Sequence, residues 1–251
     1  MAGAWRTALV TGAASGIGRS FAETLARDGI DVRLLDVDAA AVGALGASLA
    51  ARHAVVDVAD RAVVEAAVGR LVGADGLDLL VHCAAILGPG TWSEQTGDEF
   101  ERVLRIDFLG TANVIRAALP GLRRARGRIV TLASTAAVHG WPGLAAYSAA
   151  KFAVAGFTDA VRAELAADDV GLTLVFPLQI DTPLLSRPGT PPILRRGRRL
   201  PPAAVVRKAL AGARRGRPRL YVPATVRLIA ALHGLLPSVL DWYGARYGLE
   251  R

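Results

Sequence analysis

The chain has 251 residues, 52% of them hydrophobic and 21% charged, which is long enough to bury a substantial core and too apolar for a disordered chain. The net charge of +8 is carried almost wholly by arginine, since lysine occurs only at 151 and 208. The one cysteine, Cys83, excludes an intrachain disulfide and fits a reducing compartment, so a soluble, cytoplasmic protein without a signal peptide is expected.

Apolar runs alternate with amphipathic stretches from the start. Arg6–Thr11 reads as a strand and Gly16–Arg27 as a helix with Phe21 and Leu25 on one face. Asp31–Asp36, His53–Val56 and Leu77–His82 read as further strands, separated by helices at Ala39–Ala51 and Arg61–Val72. Ile86–Gly97 is a glycine-containing loop, Asp98–Leu122 a long helix, Gly127–Ala133 a strand, Tyr147–Ala167 another long helix and Gly171–Phe176 a strand. The alternation then breaks. Pro183–Pro202 is rich in proline and arginine and reads as an irregular loop, part of a substrate loop over 178–202. Ala203–Ala213 is helical, Leu220–Val222 a short strand and Ala224–Leu236 an apolar helix, too interrupted by Arg227, His233 and Pro237 to span a membrane. This order predicts an α/β fold: a doubly wound parallel sheet of about seven strands with helices on both faces, in one domain over 1–251.

Thr11-Gly12-Ala13-Ala14-Ser15-Gly16-Ile17-Gly18 joins the first strand to the first helix. Gly12 permits a tight turn, Gly16 lets backbone approach a pyrophosphate, and Gly18 lets helix and strand pack closely. The helix N-terminus, with Ser15 and Ile17, then faces the negative charge. Asp36 ends the second strand, where a carboxylate can accept from ribose hydroxyls and repel a 2′-phosphate. Val37 follows it with no arginine to receive such a phosphate, so NAD is expected over NADP.

Tyr147 and Lys151 are four apart in a helical stretch and share a face. A cation about 4 Å from a phenol, at an effective dielectric near 20, contributes roughly 4 kcal/mol, or about three pKa units. That would bring the phenol close to neutral pH, where an acid–base group works best. Ser134, just past the fifth strand, could hold a substrate oxygen beside it. The scarcity of lysine adds weight to Lys151: where a plain cation suffices, this sequence uses arginine.

Together these residues resemble the short-chain dehydrogenase/reductase family over nearly the whole chain. The T-G-x-x-x-G-x-G turn falls at 11–18, the acidic strand end at Asp36, and the adenine-bordering pair at Asp57-Val58. Ser134, Tyr147 and Lys151 match the catalytic Ser and Tyr-x-x-x-Lys, and Pro177, Ile180 and Thr182 fall in the P-G-x-V-x-T segment beside the nicotinamide. The resemblance implies hydride transfer between nicotinamide C4 and a substrate carbon. Tyr147 would exchange the hydroxyl proton, Lys151 would lower its pKa and hold the nicotinamide ribose, and Ser134 would position the substrate oxygen. Three departures stand out. The family's N-N-A-G is His82-Cys83-Ala84-Ala85 here, its catalytic Asn falls at Asp107, and its Gly after Pro177 is Leu178. An ionised Asp107 would partly cancel the effect of Lys151 on Tyr147. His82 and Cys83 are read as buried strand-end residues, and no metal site is expected.

Ile86, Leu87, Val138, Trp141, Leu144, Leu184 and Leu185 are expected around the pocket, with His139 near its mouth. They favour an apolar secondary alcohol or its ketone, although arginines of the 183–202 loop could instead take an acidic group. The resemblance implies a homodimer or homotetramer built on the two long helices. Arginine clusters at 123–128, 195–199 and 214–219 come with no nucleic-acid motif, so no nucleic-acid partner is expected. The C-terminal helix over about 224–236 is assigned to core or interface, with weak membrane-surface contact as the alternative. A catalytically decayed NAD-binding regulator or scaffold stays open as the competing function.

Overall fold

Short runs such as Thr7–Thr11 are buried at nearly every position, the pattern of a strand covered on both faces. Successive side chains along it take opposite sides: Ala8 and Val10 enter one core, Leu9 the other. The computed structural model describes residues 5–195 and 199–249. Two arginines of the 195–199 cluster, Arg196 and Arg198, lie outside the described residues.

In chain order the elements are β1 (Thr7–Thr11), α1 (Gly16–Arg27), β2 (Asp31–Asp36), α2 (Ala39–Leu49), β3 (Arg52–Val55), α3 (Arg61–Val72) and β4 (Leu79–His82). They continue with α4 (Gly97–Leu104), α5 (Gly110–Ala125), β5 (Arg128–Leu132), α6 (Ala145–Leu165), β6 (Gly171–Pro177), α7 (Pro192–Arg195) and α8 (Pro202–Arg214). The last are β7 (Arg219–Val222), α9 (Val226–Leu235) and α10 (Pro237–Tyr247). The seven strands form one parallel sheet in the order β3-β2-β1-β4-β5-β6-β7, with Val10 beside Leu34 on one side and Val81 on the other. Phe21 and Leu25 of α1, Val42 of α2 and Val205 and Leu210 of α8 cover one face. Val64 and Val68 of α3, Ile115 and Leu122 of α5 and Leu165 of α6 cover the other. The expected doubly wound sheet is thus the observed one.

Local chemistry sets the helix starts. Asp38 and Asp60 accept from Ala41 N and Val63 N, and Thr96 with Glu99 forms a reciprocal capping box on α4. Four differences from the sequence reading matter. The long helix expected at Asp98–Leu122 is two helices, joined by a single wide π turn at Arg105–Leu109. The loop expected at Pro183–Pro202 contains a 3-10 turn at Pro183–Ser186 and the short α7. Val138 packs with Val154, Phe176 and Val226 in the core instead of lining a pocket. The chain beyond the expected C-terminal helix forms α10, because Pro237 occupies its first turn, where a missing N–H costs nothing. Leu228, Leu235, Leu236 and Trp242 on these last helices point outward.

No described helix is long and apolar enough to cross a membrane. Several surface arginines are tied down: Arg123 pairs with Asp168, Arg124 and Arg128 bond backbone carbonyls, and Arg219 pairs with Asp159. Asp78, just before β4, locks the sheet centre by accepting from Arg6 N and Thr7 N, each at 2.9 Å, and from the Thr7 hydroxyl. Asp78→Ala strands two backbone donors and is expected to cost about 1–3 kcal/mol, read as a lower urea midpoint at unchanged slope.

Candidate active site

The crevice begins where the strand order reverses, between β1 and β4. Thr11 ends β1, and its Oγ1 accepts from Cys83 N and Ala84 N and bonds His82 Nδ1 at 2.8 Å, so the two strand ends are tied together. Gly12 follows at φ +61°, and a Cβ there would sit 2.8 Å from Ala84 N. A Cβ on Gly18 would collide with the Gly12 carbonyl, so α1 can start this close to the turn only with glycine there. Ser15 caps α1 through backbone alone and makes no side-chain bond to its first turn. The first N–H groups of α1 therefore stay open toward the crevice, beside the glycine turn. That cradle fits the pyrophosphate of a dinucleotide.

Asp36 stands at the next strand end. Its Oδ2 accepts from Ala14 N at 2.8 Å and its Oδ1 from Asp38 N at 3.0 Å, which fixes the carboxylate against the glycine turn. Val37 beside it is 68% exposed and brings no cation. Asp57 accepts from Ala59 N, while the Val58 side chain is buried under α5. Gly110 lets α5 approach, since a Cβ there would meet the Val58 side chain at 2.6 Å, and the only asparagine, Asn113, donates to the Val58 carbonyl at 3.1 Å.

At the other end of the crevice, α6 presents Tyr147 and Lys151 one turn apart, and Ser134 arrives from the end of β5. The Ser134 side chain accepts from Ala136 N at 3.1 Å, and its hydroxyl pulls the Tyr147 pKa down. Lys151 Nζ lies 5.3 Å from the Tyr147 ring centroid and 3.1 Å from Asp107 Oδ2. The other Asp107 oxygen accepts from Ile86 N at 2.8 Å. Asp107 is fully buried and is carried by the π turn between α4 and α5. Burial disfavours a charged lysine, but Asp107 and Tyr147 outweigh it and hold the Lys151 pKa above its ordinary value. Burial holds the Asp107 carboxyl above its ordinary value, and the opposing pulls of Lys151 and the Ile86 N–H reduce that rise without reversing it. With Nζ at 3.1 Å and a backbone donor on the second oxygen, the pair is held as an ion pair.

The expectation that Lys151 brings Tyr147 close to neutral is corrected. Burial raises the Tyr147 pKa, Asp107 adds to the rise, and the opposing pulls of Lys151 and Ser134 do not overcome them.

A cleft of about 470 Å³ joins the two ends. It is lined by Gly12, Ser15, Gly16, Ile17, Gly18, Asp36, Asp57, Val58, Ser134, Tyr147, Lys151, Pro177, Ile180 and Thr182, so the residues singled out from sequence converge on one cavity. Asp107 is the exception and sits behind Lys151 rather than on the wall. Ile86, Leu87, Trp141, Leu144, Leu184 and Leu185 line the apolar end. His139 does not line it; it is buried against Trp141 and His233. Sequence reasoning missed Leu194 and the two arginines of the lining, Arg102 and Arg187; the first two sit on segments with no motif, and Arg187 was grouped only with the loop's charge.

The sequence profile of the short chain dehydrogenase family matches residues 6–190. The chain belongs to the short chain dehydrogenase family. Its relatives include the probable oxidoreductase EphD of Mycobacterium tuberculosis, 38% identical over 188 residues that make up 72% of this chain and 32% of that protein. This chain thus spans about a third of the length of EphD. The 2-dehydro-3-deoxy-L-rhamnonate dehydrogenase (NAD(+)) of a Sphingomonas strain is 38% identical over 73% of this chain and 76% of that protein. A short chain dehydrogenase from Burkholderia cenocepacia, solved in complex with NADP, superposes with a TM-score of 0.83 at 25% identity, over 95% of this chain and 97% of the other.

Within this short chain dehydrogenase the departures have physical accounts. His82 is buried, bonded through Nδ1 to Thr11, and burial with the nearby Lys151 lowers its pKa to about 3, so it is neutral. Cys83 borders the cleft, and burial pushes its thiol well up, which keeps it protonated. Leu178 keeps φ negative and donates its N–H to the Val222 carbonyl at 2.8 Å, so the turn does not need glycine. Among the described residues no cluster of three metal-ligating side chains occurs. Gly18→Ala pushes a methyl into the Gly12 carbonyl, and is expected to lower stability by about 1–3 kcal/mol and to weaken nicotinamide-dinucleotide binding, measured by titration of the folded variant with NAD and with NADP.

Proposed function

We propose that this chain is an NAD-dependent dehydrogenase/reductase that interconverts a hydrophobic secondary alcohol and its ketone, with Tyr147 as the acid–base group. The observation that carries this reading is the meeting of Ser134, Tyr147 and Lys151 on the wall of one cleft, at the apolar end away from the glycine turn. Gly12, Gly16, Gly18 and the open N-terminus of α1 would hold the pyrophosphate, and Asp57 and Val58 would border the adenine. Asp36 supports NAD: it is a fixed carboxylate beside an exposed valine, placed to accept from ribose hydroxyls and to repel a 2′-phosphate. Lys151 would donate to the nicotinamide ribose, and Pro177, Ile180 and Thr182 would border the ring. The bound nicotinamide supplies or accepts the hydride. Ser134 orients the substrate oxygen, and Tyr147 Oη gives up or receives its proton.

The lining by Ile86, Leu87, Trp141, Leu144, Leu184 and Leu185 supports an apolar substrate body, and Arg187 and Arg102 mark where an acidic substituent would be tolerated. Exposed Leu109, between α4 and α5, and Phe152 on α6 support assembly as a dimer or tetramer through those helices.

The test is reduced-nucleotide formation from a panel of apolar secondary alcohols with NAD or NADP. Turnover is expected with NAD at least about tenfold above NADP, and Tyr147→Phe is expected to lose about a hundredfold or more while still binding NAD. Equal turnover by Tyr147→Phe would refute the role of Tyr147. Tight NAD binding without turnover on a broad panel would favour a regulatory NAD-binding protein.

A further inference from the structure

We infer that Asp107 is the built-in counter-ion of Lys151 and keeps Tyr147 protonated through neutral pH, so that carbonyl reduction runs there while alcohol oxidation requires alkaline conditions. The inference rests on the dehydrogenase reading above and makes Asp107 a positioning residue that acts through Lys151.

The geometry carries it. Lys151 Nζ is buried and its carboxylate partner, Asp107 Oδ2, lies at 3.1 Å. Asp107 has no exposed surface, so water does not screen its charge from its neighbours. Its second oxygen is pinned by Ile86 N, and its own carbonyl accepts from Thr111 Oγ1 at 2.6 Å, so neither the side chain nor its backbone is free to swing away. The other groups facing the tyrosine do not replace the cancelled charge. From β4, His82 is neutral and Cys83 is held as a thiol. From the end of β5, Ser134 offers only a hydroxyl. Arg102, on α4, lines the cleft but is exposed to solvent. A net-neutral Lys151–Asp107 pair beside a buried phenol leaves little to stabilise a phenolate, and burial itself opposes one.

The consequence for chemistry is directional. In reduction, the hydride from NADH bonds to the carbonyl carbon, the carbonyl oxygen takes the Tyr147 proton, and solvent returns that proton to the phenolate. In oxidation, the alcohol proton must go to a Tyr147 phenolate as the hydride leaves for NAD. The first direction needs the protonated form and the second the ionised form, so a raised Tyr147 pKa separates their pH windows.

The test titrates tyrosinate absorbance in the ultraviolet and isolates Tyr147 as the difference between the native protein and Tyr147→Phe; it needs no substrate. The native midpoint is expected above that of a free tyrosine, and in Asp107→Asn it should fall by about one unit or more. The ascending limb of oxidative kcat/KM should move down by the same amount in Asp107→Asn, raising oxidation at neutral pH about tenfold, while reduction is lost at a correspondingly lower pH. A native midpoint at or below that of a free tyrosine, or a smaller shift in a folded Asp107→Asn, overturns the inference. If that variant does not fold, the native midpoint decides alone. Turnover that survives Tyr147→Phe would instead count against Tyr147 as the acid–base group, and the titration would still report on Asp107.

Discussion

The approach of two strand ends at the centre of the sheet is the constraint on which the rest depends. Thr11 bridges β1 to the backbone that follows β4, and Gly12 then passes so close to Ala84 that no side chain fits between them. Only after that contact can α1 begin above the crevice with its first N–H groups unclaimed, and only a glycine at 18 lets it start there. Asp36 is locked to the same turn through Ala14 N, so the glycine turn and the strand-end carboxylate are held as one unit. The apolar end of the cleft is built from the other half of the sheet, by β5 through Ser134 and by α6 through Tyr147 and Lys151. The cleft connects the two because the strand order reverses between them.

Charge is handled differently inside and outside. On the surface, several arginines pair with aspartates or donate to backbone carbonyls. Inside, Lys151 is one of two lysines in the chain and stands against a carboxylate that has no water around it. Removing either partner would leave an uncompensated buried charge, so the pair is costly to change and tightly held. Placing that pair beside Tyr147 gives the phenol a neighbour that is polar yet close to neutral, unlike a lone ammonium.

Much of this was legible in the sequence. Apolar runs covered on both faces, separated by amphipathic stretches, gave the parallel sheet, and the glycine spacing placed the turn between β1 and α1. The cleft lining followed from the same motifs. What could not be read were features set by tertiary contact. Nothing in the periodicity over 98–122 signals the π turn that rotates Asp107 inward, because the apolar spacing runs through it. Val138 and His139 lie between Ser134 and Tyr147 in sequence, but the 3-10 turn at Thr135–Ala137 sends Val138 to the core and His139 toward α9. Pro237 reads as a stop for one helix, and it starts the next. Spacing alone brings Lys151 to Tyr147 and suggests a lowered pKa, but it says nothing of burial, which reverses the direction.

The most direct measurement follows the hydride itself. NADH deuterated at nicotinamide C4 is incubated with the protein and apolar ketones at neutral pH, and the product alcohols are examined by mass spectrometry. The account predicts deuterium on the carbinol carbon with the native protein and none above background with Tyr147→Phe. NADH bound at the cleft with no label reaching any carbonyl, across neutral and acidic ketones alike, would contradict it.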